Sequence, residues 1–424
     1  MRDELFARIE SRTEELVELT ADLIRIPTIN PPGDVYVDCA RFIGERLGAR
    51  GFEVQYVRGE GSPGDSDRYP RMNVIARRQG SRPGPCVHFN GHTDVVEVGR
   101  GWTVAPFAGV VRDGKVYGRG ACDMKGGIAA AIIAVEALVE TRPDFPGALE
   151  ISGTVDEETG GYGGVAYMAR QGLFSRPRVD HVIIPEPLNV DRVCLGHRGV
   201  WWGQIETFGR IAHGSMPFLG DSAIRHMSAV LERFEHELYP HLDGKRTEMP
   251  VAPEGARRST MNINSVHGGL SEGFDGLPSA VVADSCRVVV DRRYLIEESY
   301  DEVRGEIVDL LERLKRDRPN FQYNLKEMWS VPPTMTDRDA PVVRAVAGEI
   351  EAVLGRAADY VISPGTYDQK HIARLGHLHD CIAYGPGILD LAHQPDEYVA
   401  IDDLVASAKV MAASAWALMT GEVA

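Results

Sequence analysis

The sequence predicts an α/β fold built as two domains, on three observations. At 424 residues the chain exceeds the size at which single hydrophobic cores stop growing. Short strand-like apolar runs alternate with helical ones, the pattern of a mostly parallel sheet flanked by helices. From residue 197 that alternation gives way to longer strands and amphipathic helices, which marks an inserted α+β domain. The expected division is 1–196 for the first segment of the main domain, 197–325 for the insertion and 326–424 for the second segment, with SVPPT at 330–334 as the junction.

Each element has a local reason. Leu16, Leu19, Leu23 and Ile24 recur at helical spacing before Pro27, after which PTINPPG must turn. MNVIAR and PCVHFNGH read as strands, IAAAIIAVEAL as a helix, and LEISGTV and HVIIPEP as further strands. The stretch GEGSPGDSDRYP, residues 59–70, reads as a surface loop. In the insertion, GVWWGQIETFG and ADSCRVVVDRRYL read as antiparallel strands, with Trp201 and Trp202 in the sheet. The helices there are AIRHMSAVLERFEHEL and SYDEVRGEIVDLLERLK, the latter with Val303, Ile307, Leu311 and Leu314 on one side.

Composition excludes several classes of function. Apolar residues make up 43% of the chain and no run approaches the about eighteen residues that span a bilayer, so no membrane partner is expected. The N-terminal MRDELFARIESRTEEL is charged and helical, unlike a secretory leader, so a cytoplasmic location is expected. Six cysteines without a CxxC pair read as reduced thiols. A formal net charge of −16 argues against a nucleic-acid partner, which needs a basic surface.

The most informative stretch is CVHFNGHTDVV, an apolar run that ends in His92-Thr93-Asp94. A metal-binding imidazole needs an acceptor for its other N–H, and Asp94 is placed to supply one. In open α/β sheets ligands gather beyond the carboxyl ends of strands. That rule selects His92, Asp123 after GRGACD, Asp156-Glu157-Glu158 after ALEISGTV, Glu186 after VIIP, and His393 in the loop beyond CIAYGPG. His377 and His379 precede the strand CIAYG and belong at its other end. Two histidines, two glutamates and an aspartate suit zinc, cobalt or manganese. Five ligands exceed the needs of one catalytic zinc and fit two ions sharing one carboxylate, for which Asp123 is the natural bridge.

GHTDVV, GRGACDMKGG, TVDEETGG, IIPEP, SPGTYDQ and AHQPDEYV, in this order, resemble the motifs of the co-catalytic dinuclear zinc amidohydrolases and metallopeptidases. That family includes acetylornithine deacetylase, succinyl-diaminopimelate desuccinylase, the aminoacylases and glutamate carboxypeptidase, and the resemblance spans nearly the whole chain. It implies a zinc-peptidase-like mixed sheet with a ferredoxin-like dimerisation and lid domain. It also implies two divalent ions, zinc with cobalt or manganese as substitutes: one held by His92, Asp123 and Glu186, the other by Asp123, Glu158 and His393. Glu157 would then be the general base, Asp94 the orienter of His92, and Asp123-Met124 a cis peptide.

The same resemblance brings His213, in GRIAHGSMP, to the oxyanion from the partner subunit of a homodimer. It makes Arg293 the residue that pairs with a substrate carboxylate, and Asn262, Gly365 and Thr366 further substrate-binding groups. Arg292 competes with Arg293, since neighbours on a strand face opposite ways. The implied reaction is hydrolysis of an N-acyl amino acid by a metal-bridged hydroxide, Glu157 moving the proton. Glutamate at 186 favours deacylases and carboxypeptidases over aminopeptidases. The alternatives are a carboxypeptidase or dipeptidase of the same family and, in another class, a non-catalytic metal-binding homologue. His197, Gln369 and Lys370 depart from the commoner motif, and acyl-group choice is the property they would alter.

Overall fold

The computed structural model describes residues 2–269 and 279–422. They form two compact units: Met1–Gly196 with Thr336–Val361 and Tyr367–Ala424, and His197–Met335 with Ile362–Thr366.

The first unit is built on one mixed sheet. Its strands run in the order Glu53–Arg58, Met72–Gln79, Pro146–Thr154, Arg82–His92, His181–Ile184, Cys381–Ala383, Arg192–His197, Thr334–Met335, and Asp359–Ser363 also pairs with Arg192–His197. The four middle strands, from Pro146–Thr154 to Cys381–Ala383, are mutually parallel, and antiparallel strands flank them on both sides. The parallel strands are buried along most of their length, so they read as continuous apolar runs and not as alternating ones.

Helices cover the sheet. Thr13–Arg25 buries Leu16, Leu19, Leu23 and Ile24, the stripe expected of it. Gly126–Thr141 is apolar all round because it is enclosed all round, packing on Ile401–Thr420 and on the sheet. All six cysteines are buried as thiols. Among the described residues no helix is long and apolar enough to cross a membrane.

The second unit has β-α-β-β-α-β order: Gly199–Phe208, Ala223–Arg233, Thr260–Gly268, Ser285–Tyr294, Tyr300–Asp317, Gln322–Val331. All its sheet pairings are antiparallel, in the spatial order Thr260–Gly268, Ser285–Tyr294, Gly199–Phe208, Gln322–Val331. This is the ferredoxin-like arrangement. Ser299 and Glu302 close a reciprocal capping box on the second helix, whose Val303, Ile307, Leu311 and Leu314 join Val288, Val290 and Trp201 in the core. Trp201 also donates to Glu327 at 2.8 Å, and Trp202 meets Trp329 edge-on.

The return to the first unit lies ten residues beyond the expected 325/326 boundary. Gln322–Val331 pairs along nearly its whole length with Gly199–Phe208, which holds that strand in the insertion, and the unit ends four residues later at Met335. Ile362–Thr366 also belongs to this unit, through a bridge from Val251 to Ile362 and donation from Arg198 to the Pro364 carbonyl at 3.1 Å.

Candidate metal centre

The candidate centre lies wholly in the first unit, on the carboxyl rim of the parallel strands. His92 ends its strand beside Thr154, the last residue of Pro146–Thr154. Beyond Thr154 the chain enters a left-handed turn at Asp156, and a short 3-10 turn carries Glu157 and Glu158. Glu186 follows His181–Ile184, and His393 lies in the loop after Cys381–Ala383.

Asp123 arrives differently, from the turn before the buried helix. Gly120 there has φ +86°, a conformation open to glycine without steric cost. The Asp123–Met124 peptide is cis. At Gly127, in the first turn of that helix, a Cβ would fall 2.0 Å from the Pro185 carbonyl oxygen, so only glycine lets the helix approach the strand end that precedes Glu186.

Two overlapping groups of potential ligand atoms result: His92, Asp123 and Glu186, and Asp123, Glu158 and His393, each within 4.8 Å of one another. His92 Nε2 is 2.9 Å from one oxygen of Asp123 and 4.0 Å from Glu186. His393 Nε2 is 3.5 Å from the other Asp123 oxygen and 3.1 Å from Glu158. Asp123 therefore turns one oxygen to each histidine, the geometry of a bridging carboxylate.

Electrostatics describe a set of acids short of positive charge. Burial pushes Glu158 up to about 7, the His393 bond opposing it, and burial with the Asp123 charge pushes Glu186 well above the usual carboxylate range. Burial would likewise raise Asp123, but its bonds to His393 and His92 hold it below that range. His393 is raised to about 10 by Asp123 and Glu158. His92 loses basicity to burial and regains more from Asp123, Asp94 and Glu186, so it ends well above an ordinary imidazole. Two divalent cations would replace those protons and neutralise the carboxylates, and the nitrogen and oxygen donors fit zinc, cobalt or manganese.

The surrounding residues orient this set. His92 Nδ1 lies 3.0 Å from the backbone carbonyl of Asp94, which can only accept, so Nδ1 carries the proton and Nε2 is left to bind metal. The Asp94 carboxylate is farther, at 3.6 Å, and does other work. It accepts from the backbone N–H groups of Glu157 and Glu158, both at 3.2 Å, and from Asn30 at 2.9 Å. Asp94 thus orients His92 mainly through its carbonyl, and its side chain anchors the glutamate turn.

Three further contacts have no cue in the local sequence. Glu397 accepts from the backbone N–H of Cys122 at 2.9 Å and of Asp123 at 3.0 Å. Arg119 reaches the His393 carbonyl at 3.1 Å. Lys370 Nζ donates to Glu157 Oε1 at 2.7 Å. Glu397 and Lys370 stand inside AHQPDEYV and SPGTYDQKHI, yet a loop acid and a helix-start lysine look like solvated residues until their partners are seen. The histidines at 377 and 379 belong to neither ligand group.

In the second unit, Arg292 is fully buried against Glu298 at 2.6 Å and Glu306 at 3.2 Å. Arg293 is partly exposed and engages Asp291 at 2.7 and 2.9 Å. Asn262 stands opposite Asp291 in the strand register and donates to Asn264 at 2.8 Å. Gly365 donates its N–H to the Ser363 hydroxyl at 3.2 Å, with Thr366 next to it. His213 is exposed, and its Nδ1 accepts from the Ser215 backbone at 3.2 Å, which places the ring proton on Nε2.

The peptidase family M20/M25/M40 model matches residues 88–417. The chain is 29% identical over 394 residues to the succinyl-diaminopimelate desuccinylase of Marinobacter nauticus, covering 92% of this chain and 94% of that one. It is 30% identical over 398 residues to the enzyme of the same name from Stenotrophomonas maltophilia, covering 92% and 96%. Human carnosine dipeptidase 1 shares the fold with a TM-score of 0.77 at 18% identity, over 98% of both chains. A dinuclear metal-binding M20 peptidase of Bacillus subtilis shares it at 0.68 and 16% identity, over 98% and 100%. Since the match runs from the strand that delivers His92 to the helix beyond His393, the chain is a hydrolase of amide bonds and belongs to peptidase family M20/M25/M40.

Proposed function

We propose that the enzyme removes the acyl group from an N-acyl amino acid of the acetyl-ornithine or succinyl-diaminopimelate type. The observation that carries this reading is Asp123, with one oxygen towards His92 and the other towards His393, beside the turn that bears Glu157. The desuccinylase relatives supply the substrate class. His92, Asp123 and Glu186 would hold one divalent ion and Asp123, Glu158 and His393 the other, zinc being the ion best suited to this donor set. The ions would supply the positive charge that acidifies a water and polarises the amide carbonyl.

Glu157 takes the proton of the attacking water and returns it to the departing amine. Arg293 pairs with the substrate carboxylate, as its partial exposure and planar fork allow, and Asn262, Gly365 and Thr366 supply further polar contacts. His213 from a second copy of the chain donates Nε2–H to the developing oxyanion. Exposed Ile211, Phe218, Leu219, Ile224 and Val266 on the second unit support a homodimer, since burying such residues is what association achieves.

The test is turnover of a panel of N-acyl amino acids and dipeptides with added zinc or cobalt, comparing wild type with Glu157→Gln. Deacylation lost in the variant is expected. Cleavage of dipeptides alone would replace this reading with a dipeptidase, and metal binding without any turnover would replace it with a binding protein.

A further inference from the structure

We infer that Lys370 is a positioning residue for the reaction: it holds Glu157 Oε1, so that the other carboxylate oxygen faces the water. This rests on the role of Glu157 proposed above. The contact is direct, 2.7 Å from Nζ to Oε1, with side-chain exposures of 2% for Lys370 and 11% for Glu157. A lysine buried this deeply is costly unless paired. Burial works against its charge, but the carboxylates of Glu157 and Asp368 outweigh it and keep Nζ protonated.

The position of Lys370 is itself fixed by a buried polar ladder. Asp368 immediately precedes the helix Gln369–Leu375, and its carboxylate accepts from Asn90 at 3.0 Å and Thr154 at 3.4 Å. Asn90 in turn accepts from Ser152 at 2.7 Å, and Ser152 meets His88 Nε2 at 2.7 Å. His88 Nδ1 lies 3.0 Å from Glu150. His88, Asn90, Glu150, Ser152 and Thr154 are all fully buried.

The ladder therefore runs within the two adjacent strands whose ends deliver His92 and Glu157, and it fastens the start of the Lys370 helix to both. An apolar core would be as stable with less stringent geometry. What the ladder adds is location, because the same strands set the metal ligands, the base and the cation that holds the base.

On a substrate that the wild type deacylates, Lys370→Met is expected to lower kcat about 100-fold with KM within about threefold. Lys370→Arg, which keeps the charge and the donors, should return kcat to within about tenfold of wild type. Metal content per chain should match wild type, the thermal midpoint should fall because Glu157 and Asp368 lose their buried cation, and a crystal structure of Lys370→Met should show the Glu157 side chain displaced. In a Glu157→Gln background Lys370→Met should cost nothing further. Should Lys370→Met fail to fold, Lys370→Gln is held to the same outcomes.

Unchanged kcat, an undisplaced Glu157, or a KM rise at constant kcat would each overturn the inference, the last by placing Lys370 against substrate. A wild type that deacylates normally and a Glu157→Gln enzyme that remains active would instead overturn the reading of Glu157.

Discussion

The guanidinium of Arg119 donates to the carboxylate of Glu397 across 2.5 Å, with exposures of only 2% and 0%. Through this pair Asp123 and the half-exposed His393 are tied together, because Glu397 holds the Asp123 N–H and Arg119 holds the His393 carbonyl. Removing one member leaves a buried, uncompensated charge, which costs about 3–5 kcal/mol. Arg119→Met should lower the thermal midpoint, and in the folded fraction it should weaken metal binding about 10- to 100-fold. Calorimetric metal titration against wild type checks this, and equal affinities would show that the pair has no influence on the centre.

Asp94→Ala removes the acceptor of two backbone N–H groups and of the Asn30 amide. The turn carrying Glu157 and Glu158 loses its anchor, so the loss should fall on the second ion and on kcat, about 100-fold, before it falls on the first ion. His92 keeps its carbonyl partner. Stoichiometric cobalt titration read by visible absorption separates the two ions, and simultaneous loss of both would contradict this division of labour.

Metal loading should release protons. Glu158 at about 7, His393 at about 10, and His92 and Glu186 raised well above their ordinary values all retain protons near neutrality that an ion must displace. Apparent affinity should therefore rise with pH from 6 to 8, by about tenfold per unit for each proton released. Titration calorimetry in buffers of differing ionisation enthalpy gives the proton count directly, and a count of zero is the contrary result.

The two neighbouring arginines should separate cleanly. Arg292→Leu breaks a fully buried pair and should destabilise the protein by about 3 kcal/mol or more. Arg293→Leu should leave the thermal midpoint nearly unchanged and raise KM for a carboxylate-bearing substrate by about tenfold or more. Melting curves and Michaelis plots of both variants are the check, and a reversal of the two effects would assign the substrate to Arg292.

Acid should weaken the second unit through Glu298. Burial alone would raise its pKa, but Arg292, Ser259, the Leu295 N–H and Lys245 together hold it below the ordinary carboxylate value. A depressed folded pKa contributes stability above the unfolded value of about 4.3, lost as pH falls through the folded one. Denaturant midpoints should therefore drop on acidification below about pH 4 in wild type and drop less in Arg292→Leu. Parallel curves would remove Glu298 from the account.

Much of the fold, and the gathering of the candidate ligands on one rim, is legible because both are written locally. An apolar run that ends in a histidine or an acid states its element and its rim position in the same few residues. What was not legible depends on contacts between residues far apart in the chain. Lys370 meets Glu157 across 213 positions, and Asn90 meets Asp368 across 278. Asp94 could be placed two residues from His92 but not assigned its backbone partners, since those come from a turn 63 positions away. The domain return divides in the same way: SVPPT, at 330–334, marks it locally and ends just before the Met335/Thr336 junction, whereas the 325/326 bound cuts a strand that distant pairing with Gly199–Phe208 keeps in the insertion.

The contact between Gly127 and the Pro185 carbonyl has one more consequence. Backbone packed on backbone has no rotamers to adjust, so the gap between the Asp123 turn and the Glu186 strand end is set when the chain folds. The cage proposed for the first ion would therefore be a gauge of fixed bore, made before any ion arrives.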